Sequence, residues 1–443
     1  MTKRSTFKRI FGLTAILLSF SASGSELSEA IQVDYDEYLA GLFDHFHRNP
    51  ELSTVENETA RRMALELSLA GFDVAEGVGG TGVVAMMKNG DGPLVMMRAD
   101  MDGLPVEEKS GLENASVIQQ KSPITGDMVY VTHACGHDVH ITSMVGTARY
   151  MVSHKDDWNG TIMLVVQPAE ERVLGAKAMI DDDIWGRFGQ PDYALAFHVN
   201  SLDVAGKVNI TEGSPWAGAD TVDIIIHGIG AHGADAYAGK DPIVLGSQIV
   251  LALQTLVSRE LSPRAPGVVT VGSFHSGTKH NIISDRAHLQ LTVRNTSVET
   301  RTLLLDGIKR IAKNMGRVAG LPEDKLPEVI VSGESVPPTI NNRGLALRLK
   351  AAWNSGMGEE RVVFNPAKGM GAEDFPFFTT DPEIASVYWQ VGGTAQEDFD
   401  RQAAGGDPVP SHHSPIFKVL PEPSVTAGVE STVIALMELL SKQ

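Results

Sequence analysis

Short apolar strands that stop abruptly on polar residues constrain the fold of this chain more than any other feature. Leu94 to Arg98 follows an Asp91-Gly92-Pro93 turn and runs straight into Ala99-Asp100-Met101-Asp102. Thr161 to Val166 runs into Gln167-Pro168-Ala169-Glu170-Glu171, and Tyr193 to Phe197 runs into His198. Helical periodicity fills the intervals. Leu39, Leu42, Phe43 and Phe46 recur at helical spacing, Asn49-Pro50 interrupts, and Val139 to Met151 reads as a further helix. Strands alternating with helices predict a layered α/β domain. In such a sheet the carboxyl ends of the strands form the ligand crevice, so polar residues at three strand ends predict one cleft.

The texture changes after Val204. Thr221 to His227 reads as a strand, Pro242 to Arg259 as a long amphipathic helix, and Val268 to Phe274 and His288 to Arg294 as strands. Val298 to Val318 is a second long helix and Val329 to Val331 a last short strand. This β-α-β-β-α-β order is the ferredoxin-like arrangement. It predicts a compact α+β domain inserted at 213–333, with 30–212 and 334–443 forming the α/β domain around it. Strands near Arg361 to Phe364 and Val387 to Val391, and a helix from Ser424, complete the larger domain.

At 443 residues the chain is long enough for two domains, and 42% hydrophobic residues supply ample core. A net charge of −18 argues against nucleic acid or an anionic membrane surface as a partner, because phosphate contacts need clustered Lys and Arg. The N-terminus reads as an export signal over residues 1–23. Lys3, Arg4, Lys8 and Arg9 precede the apolar run Ile10 to Phe20, and Ser21-Ala22-Ser23 follows it. The run is too short to span a bilayer, so a cleaved signal is expected rather than a stable membrane anchor, and the mature protein is expected in the periplasm or outside the cell.

Chemistry concentrates in Thr132-His133-Ala134-Cys135-Gly136-His137-Asp138-Val139-His140, which holds the single cysteine of the chain. Cys135 and His137 stand two apart and can face one ion, and thiolate with imidazole suits zinc and related metals. A structural His/Cys cluster is the alternative. In an oxidising compartment a lone thiol is exposed to oxidation, whereas a metal would hold it as a protected thiolate. Glu170 and Glu171 are adjacent, so their side chains diverge. One carboxylate can bind metal while the other moves protons, the pair of roles that metal-assisted hydrolysis requires. A solvated acidic pair at a helix start is the alternative. Gly228-Ile-Gly-Ala-His-Gly233 matches the dinucleotide fingerprint, but Asp235 to Pro242 reads as a loop where that site needs a helix.

Taken together, His47-Arg-Asn-Pro-Glu-Leu52, Arg98-Ala-Asp-Met-Asp-Gly-Leu-Pro105, His133-Ala-Cys-Gly-His-Asp138, Gln167-Pro-Ala-Glu-Glu171, Phe197-His-Val199, Gly371-Ala-Glu-Asp-Phe375 and His413-Ser-Pro415 make the chain resemble one known family. It is the amidohydrolase branch of the di-metal aminoacylase/carboxypeptidase clan, which includes hippurate hydrolases and plant hydrolases of indole-acetyl-amino acids. The resemblance runs in order through nearly the whole mature chain. It implies a metallopeptidase-type catalytic domain whose insert acts as a lid and dimerisation domain. It implies that Cys135 bridges two divalent ions, with His137 and His198 completing one site and Glu171 and His413 the other. Zinc or manganese is expected, and cobalt also suits such ligands.

The same resemblance makes Glu170 the general base, acting on water held between the ions, and places Asp100 and Asp102 beside the site to orient ligands. His412 is the rival to His413, and the Ser-Pro that follows favours His413. His232 would enter the active site of a partner subunit in a homodimer and stabilise the oxyanion, while Asn281 and Arg294 would hold a substrate carboxylate. His275 and His280 match no role. The chain departs from the family at Ala236-Tyr237, where Pro-His is usual, at Asn281-Ile-Ile-Ser284, where Asn-Val-Ile-Pro is usual, and at Gly103, where Ala is usual. These departures bear on specificity and leave every ligand and the base in place. The expected activity is hydrolysis of the amide of an N-acyl amino acid or a small related peptide. A carboxypeptidase or dipeptidase with the same site is the alternative, and a non-catalytic exported metal- or ligand-binding protein is the rival of another class.

Overall fold

The computed structural model describes residues 25–365 and 369–442. The export segment read in residues 1–23 lies outside the described residues. Eight strands form one mixed sheet in the order Asp73–Val78, Gly82–Asn89, Gly160–Gln167, Leu94–Asp100, Tyr193–Val204, Ala385–Thr394, Val208–Ile210, Val362–Phe364. Gly160–Gln167, Leu94–Asp100, Tyr193–Val204 and Ala385–Thr394 run parallel to one another, so their carboxyl ends lie along one edge of the sheet. Gly82–Asn89 and Val208–Ile210 pair antiparallel at the flanks of this block.

Parallel strands covered on both faces are near-continuous apolar runs, and these follow that rule until they reach polar residues toward their carboxyl ends. Val95, Met97, Ile162, Leu164, Leu195 and Phe197 belong to a core shared with Val139, Val145, Val429 and Val433. Those last residues come from helices His137–Ser153 and Pro421–Leu440. The alternate residues Met96, Met163, Val165, Ala194 and Ala196 face a smaller core with Met179, Ile184, Phe375 and Tyr388. Arg98 and Asp100 continue the Met96 side by the two-residue period of a strand, which carries two charges into the second layer.

A separate four-stranded antiparallel sheet has the order Gly267–Ser276, Arg286–Asn295, Gly218–His227, Glu328–Val331. Helices Pro242–Thr255 and Val298–Val318 cover it through Leu245, Ile249, Leu253, Leu304 and Ile308. Chain order and sheet order together are those of the ferredoxin-like fold. The first helix starts where Asp241 caps the backbone N–H groups of Ile243 and Val244. Its α-helical part ends at Thr255, short of the expected Arg259, because Leu256–Glu260 widens into a π turn. After Gly233 no long helix opens until Pro242, with only a 3₁₀ turn at Ala236–Ala238 between, which removes the geometry a dinucleotide would need. The edge strand Asp73–Val78 escapes sequence reading because its apolar residues, Val74, Ala75 and Val78, do not alternate with polar ones.

Candidate metal centre

The four parallel strand ends converge on the turn that opens helix His137–Ser153. Gly136 caps that helix with φ +84°, and a Cβ there would overlap Val199, so only glycine permits the turn that puts Cys135 and His137 side by side. Cys135 Sγ lies 3.4 Å from His198 Nε2. From the far end of the chain, the backbone N–H of His413 donates to the Ala134 carbonyl at 2.8 Å, with His413 itself at φ +65°. The imidazole of His413, 55% exposed, reaches Glu171 Oε2 at 3.3 Å.

Two groups of ligand atoms result. Cys135, His137 and His198 form one and Cys135, Glu171 and His413 the other, each with ligand atoms within 4.8 Å of one another. The two groups share Cys135. His412 is used elsewhere: its Nε2 accepts the Ser201 backbone N–H at 3.2 Å, and its ring packs on Phe417. His198 donates from Nδ1 to the Val199 carbonyl at 2.6 Å, which leaves the lone pair on Nε2 facing the thiol. Burial holds His198 well below the usual imidazole range, as a neutral ligand must be.

Asp102 organises the glutamate loop. Its Oδ1 accepts the Glu170 N–H at 3.2 Å, and its Oδ2 accepts the Glu171 N–H at 3.1 Å and the Ser53 hydroxyl at 2.6 Å. Asp100 accepts from His140 Nδ1 at 2.5 Å, and His140 Nε2 in turn accepts the Val199 N–H at 2.8 Å. Burial would raise the Asp100 carboxyl, but Arg98, His137 and His140 outweigh it and hold it well below the usual carboxylate range. Arg98 is fully buried and spans both strand ends and the 371–375 loop. It donates to Gln167 Oε1 at 2.8 Å, Asp100 Oδ2 at 2.7 Å and Glu373 Oε1 at 2.8 Å. Asp374 accepts from Gln167 Nε2 at 2.6 Å and from the Ala176 N–H at 3.0 Å, tying down both sides of the loop that carries Glu170. His133 is buried beside His137 with neither ring nitrogen hydrogen-bonded, and burial lowers it to about 4.

The residues fit a cation. His137 is fully buried, and neither ring nitrogen has a hydrogen-bond partner; Asp102 Oδ1 approaches Nδ1 at 3.3 Å without hydrogen-bond alignment. Glu171 Oε1 is also unpartnered. Burial pushes the Cys135 thiol well above its usual range, with Glu171 and Glu170 adding to it, and burial raises Glu171 to about 8. Against its own burial, His137 is drawn up to about 10 by Asp100 and Asp102. Burial is the first cause at Cys135 and Glu171, and neighbouring carboxylates act on all three groups, a negative charge that a divalent ion offsets. Glu170 is buried and shifted well above the usual range, first by burial and then by Glu373 and Glu171.

A cleft of about 820 Å³ opens over these groups, lined among others by Cys135, Glu170, Glu171, His198, His413 and Arg294. Arg294 therefore reaches the cleft from the four-stranded sheet. His232 and Asn281 lie outside its lining. They sit together on a two-stranded ribbon, where the Gly233 N–H donates to the Asn281 carbonyl at 2.8 Å. Sequence reading assigned no role to Trp216, whose ring packs 5.3 Å from that of His198, or to the Arg98–Glu373–Asp374 network. The charged Arg98 inside an apolar strand was the available signal for the network.

The family model described as peptidase family M20/M25/M40 matches residues 96–403. The hippurate hydrolase of Campylobacter jejuni is 36% identical over 355 residues, 79% of this chain and 88% of that protein. An IAA-amino acid hydrolase of Arabidopsis thaliana is 33% identical over 92% of this chain and 90% of its own length. A Bacillus subtilis protein solved as a dinuclear metal-binding peptidase of the M20 family superposes with a TM-score of 0.73, at 24% identity over 93% of this chain and 99% of that one. With these matches and a ligand set suited to divalent ions, the chain belongs to the amidohydrolase branch of peptidase family M20/M25/M40 and is a metal-dependent hydrolase of that family.

Proposed function

We propose that the protein hydrolyses the amide bond of N-acyl amino acids or small related peptides. The observation that carries this reading is the pair of ligand groups sharing Cys135, with Glu170 beside them and Arg294 in the same cleft. In this reading Cys135 is common to both sites, His137 and His198 complete one, and Glu171 and His413 the other. Two divalent ions, zinc or manganese with cobalt also suited, would supply Lewis acidity toward the scissile carbonyl and a lowered water pKa.

The rest falls to the side chains of the chain. Glu170, kept out of bulk water and raised in pKa, takes a proton from the attacking water and delivers it to the leaving amine. Asp102 fixes the backbone of Glu170 and Glu171, and Asp100 fixes His140. Arg294 pairs with the substrate carboxylate; it has no ion pair of its own among the described residues. His232, exposed on its ribbon, and the half-buried Asn281 beside it act on the site of a partner subunit. The four-stranded unit, 213–333, serves as lid and dimerisation domain. In support of a homodimer, Val244 (54% exposed) and Leu251 (72% exposed) leave an apolar face on helix Pro242–Thr255 open. Export to the periplasm or beyond completes the proposal.

Metal content and hydrolysis of N-acetyl and N-benzoyl amino acids, measured on the wild type and on Glu170→Ala, test the reading. Retained metal with roughly 10³-fold slower turnover is expected in the variant. Full activity in Glu170→Ala would sink the mechanism. Cleavage of dipeptides with no action on acyl amino acids would favour the carboxypeptidase or dipeptidase alternative, and metal binding without turnover of either would favour a binding protein.

A further inference from the structure

The cleft has a second polar wall that the mechanism does not use. Asn200 and Asp203 on strand Tyr193–Val204, Asn209 on Val208–Ile210 and Gln390 on Ala385–Thr394 all line it. Strand register ties this wall to the metal centre: His198 pairs with Gln390, and Gln390 pairs with Asn209. Residues in register share a face of the sheet, so the three side chains form a row across adjacent strands. At about 4.8 Å per strand, Asn209 stands roughly 10 Å from His198.

The hydrogen bonds within the wall turn the amide donors of Asn200 and Asn209 inward, while Gln390 takes part only through its Oε1. Asn200 Nδ2 donates to Asp203 Oδ2 at 3.1 Å and to Gln390 Oε1 at 2.8 Å, and Asn209 Nδ2 donates to Asp203 Oδ2 at 3.1 Å. What remains for a ligand is mostly acceptor oxygen. Both bonds to Asp203 reach the same oxygen, and Asp203 makes no ion pair among the described residues. Asn209 is only 8% exposed, yet its Oδ1 has no partner among the described residues. A carboxylate without a cation, beside a buried acceptor without a donor, both among the described residues, is complementary to a positively charged donor.

We propose that this wall is a subsite for a cationic, hydrogen-bond-donating group on the acyl portion of the substrate, an inference that rests on the amidohydrolase reading above. The acyl side follows from charge. The substrate carboxylate goes to Arg294 on the other sheet and would be repelled by Asp203, so the Asp203 wall receives the opposite end. The distance from His198 sets the ammonium several bonds beyond the scissile carbonyl, as in an ω-aminoacyl or lysyl amide. The preferred substrates are amides of such acyl groups rather than of plain aliphatic acids of equal length.

The test compares kcat/KM of the metal-loaded enzyme on N-(5-aminopentanoyl)-alanine and N-pentanoyl-alanine, in the wild type and in Asp203→Asn. The wild type is expected to favour the amino compound by about tenfold, the scale of one charge-assisted hydrogen bond, and the ratio should fall toward one in the variant. A wild-type ratio of one or less, or an unchanged ratio in Asp203→Asn, overturns the subsite while leaving the amidohydrolase reading intact. The wild-type ratio decides alone if the variant does not fold. Failure of the wild type to cleave either amide overturns the amidohydrolase reading and the subsite with it.

Discussion

The two sheets use their arginines in opposite ways. Arg98, at the carboxyl end of a central strand in the eight-stranded sheet, is fully buried and neutralises Asp100 and Glu373 while holding Gln167. Arg294, on the four-stranded sheet, lines the cleft without an ion pair among the described residues. The first arginine has its charge satisfied by the fold and the second leaves its charge for a ligand. The same division runs through the histidines. His137, His140 and His198 are buried between strand ends, whereas His232 sits exposed on a ribbon away from the cleft lining. One region is a preorganised centre, and the other holds the groups for which partners outside the fold are proposed.

The sharpest way to break this contrast is to remove each arginine. Arg98→Met leaves Asp100 and Glu373 buried without their cation, and a stability loss of about 3–5 kcal/mol is expected in urea unfolding. Arg294→Ala is expected within about 0.5 kcal/mol of the wild type, with a raised KM for substrates bearing a carboxylate. Equal stability losses in the two variants would show that the division is false.

A second test concerns His232. If it serves the site of a partner chain, His232→Ala lowers kcat by about 10²-fold, the scale of one lost oxyanion donor, with an unchanged melting temperature. Mixed dimers of His232→Ala and Glu170→Ala subunits then regain activity, because one of the two sites is again complete. No rescue on mixing, with dimers demonstrated, would place His232 outside the reaction.

The last test is a pH dependence in the first region. His47 lies 2.7 Å from Asp138 and 3.3 Å from Glu108. Burial lowers its pKa, but the two carboxylates outweigh this and raise it from 6.5 to about 10. A raised folded-state pKa means that protonated His47 stabilises the fold. Its contribution is complete below about pH 6.5 and is lost as pH rises through about 10, on the order of a few kcal/mol in all. Unfolding measured from pH 6 to pH 10 should show this decline in the wild type and a flatter profile in His47→Gln. Identical profiles would remove the pair from the account.

Much of this arrangement is legible from residues alone. Alternating strand and helix periodicity predicts the layered α/β unit, and polar residues at three strand ends predict the cleft, because a parallel sheet gathers its carboxyl ends on one edge. The β-α-β-β-α-β order predicts the second sheet down to its topology, since its two helices and three of its strands are long and strongly patterned, and only Glu328–Val331 is short. Edge strand Asp73–Val78 does not emerge, because its three apolar residues do not follow the two-residue period of a strand. The choice between His412 and His413 rested on the Ser-Pro that follows; the fold adds a reason by engaging His412 with the Ser201 backbone.

The sequence by itself determined which residue types meet a metal and in what order they occur, because ligand chemistry is a property of side chains and their local spacing. Only the tertiary structure decided what lies between and behind them. The buried Arg98 network joins strands and loops more than 270 residues apart in the chain, and no local pattern encodes such a contact. The Asn200, Asp203, Asn209 and Gln390 wall depends on strand register, which the pairing of three separate strands sets. Whether a charge is satisfied inside the fold or left facing the cleft is a matter of three-dimensional neighbours, and on that distinction the proposed division between catalytic centre and substrate contacts rests.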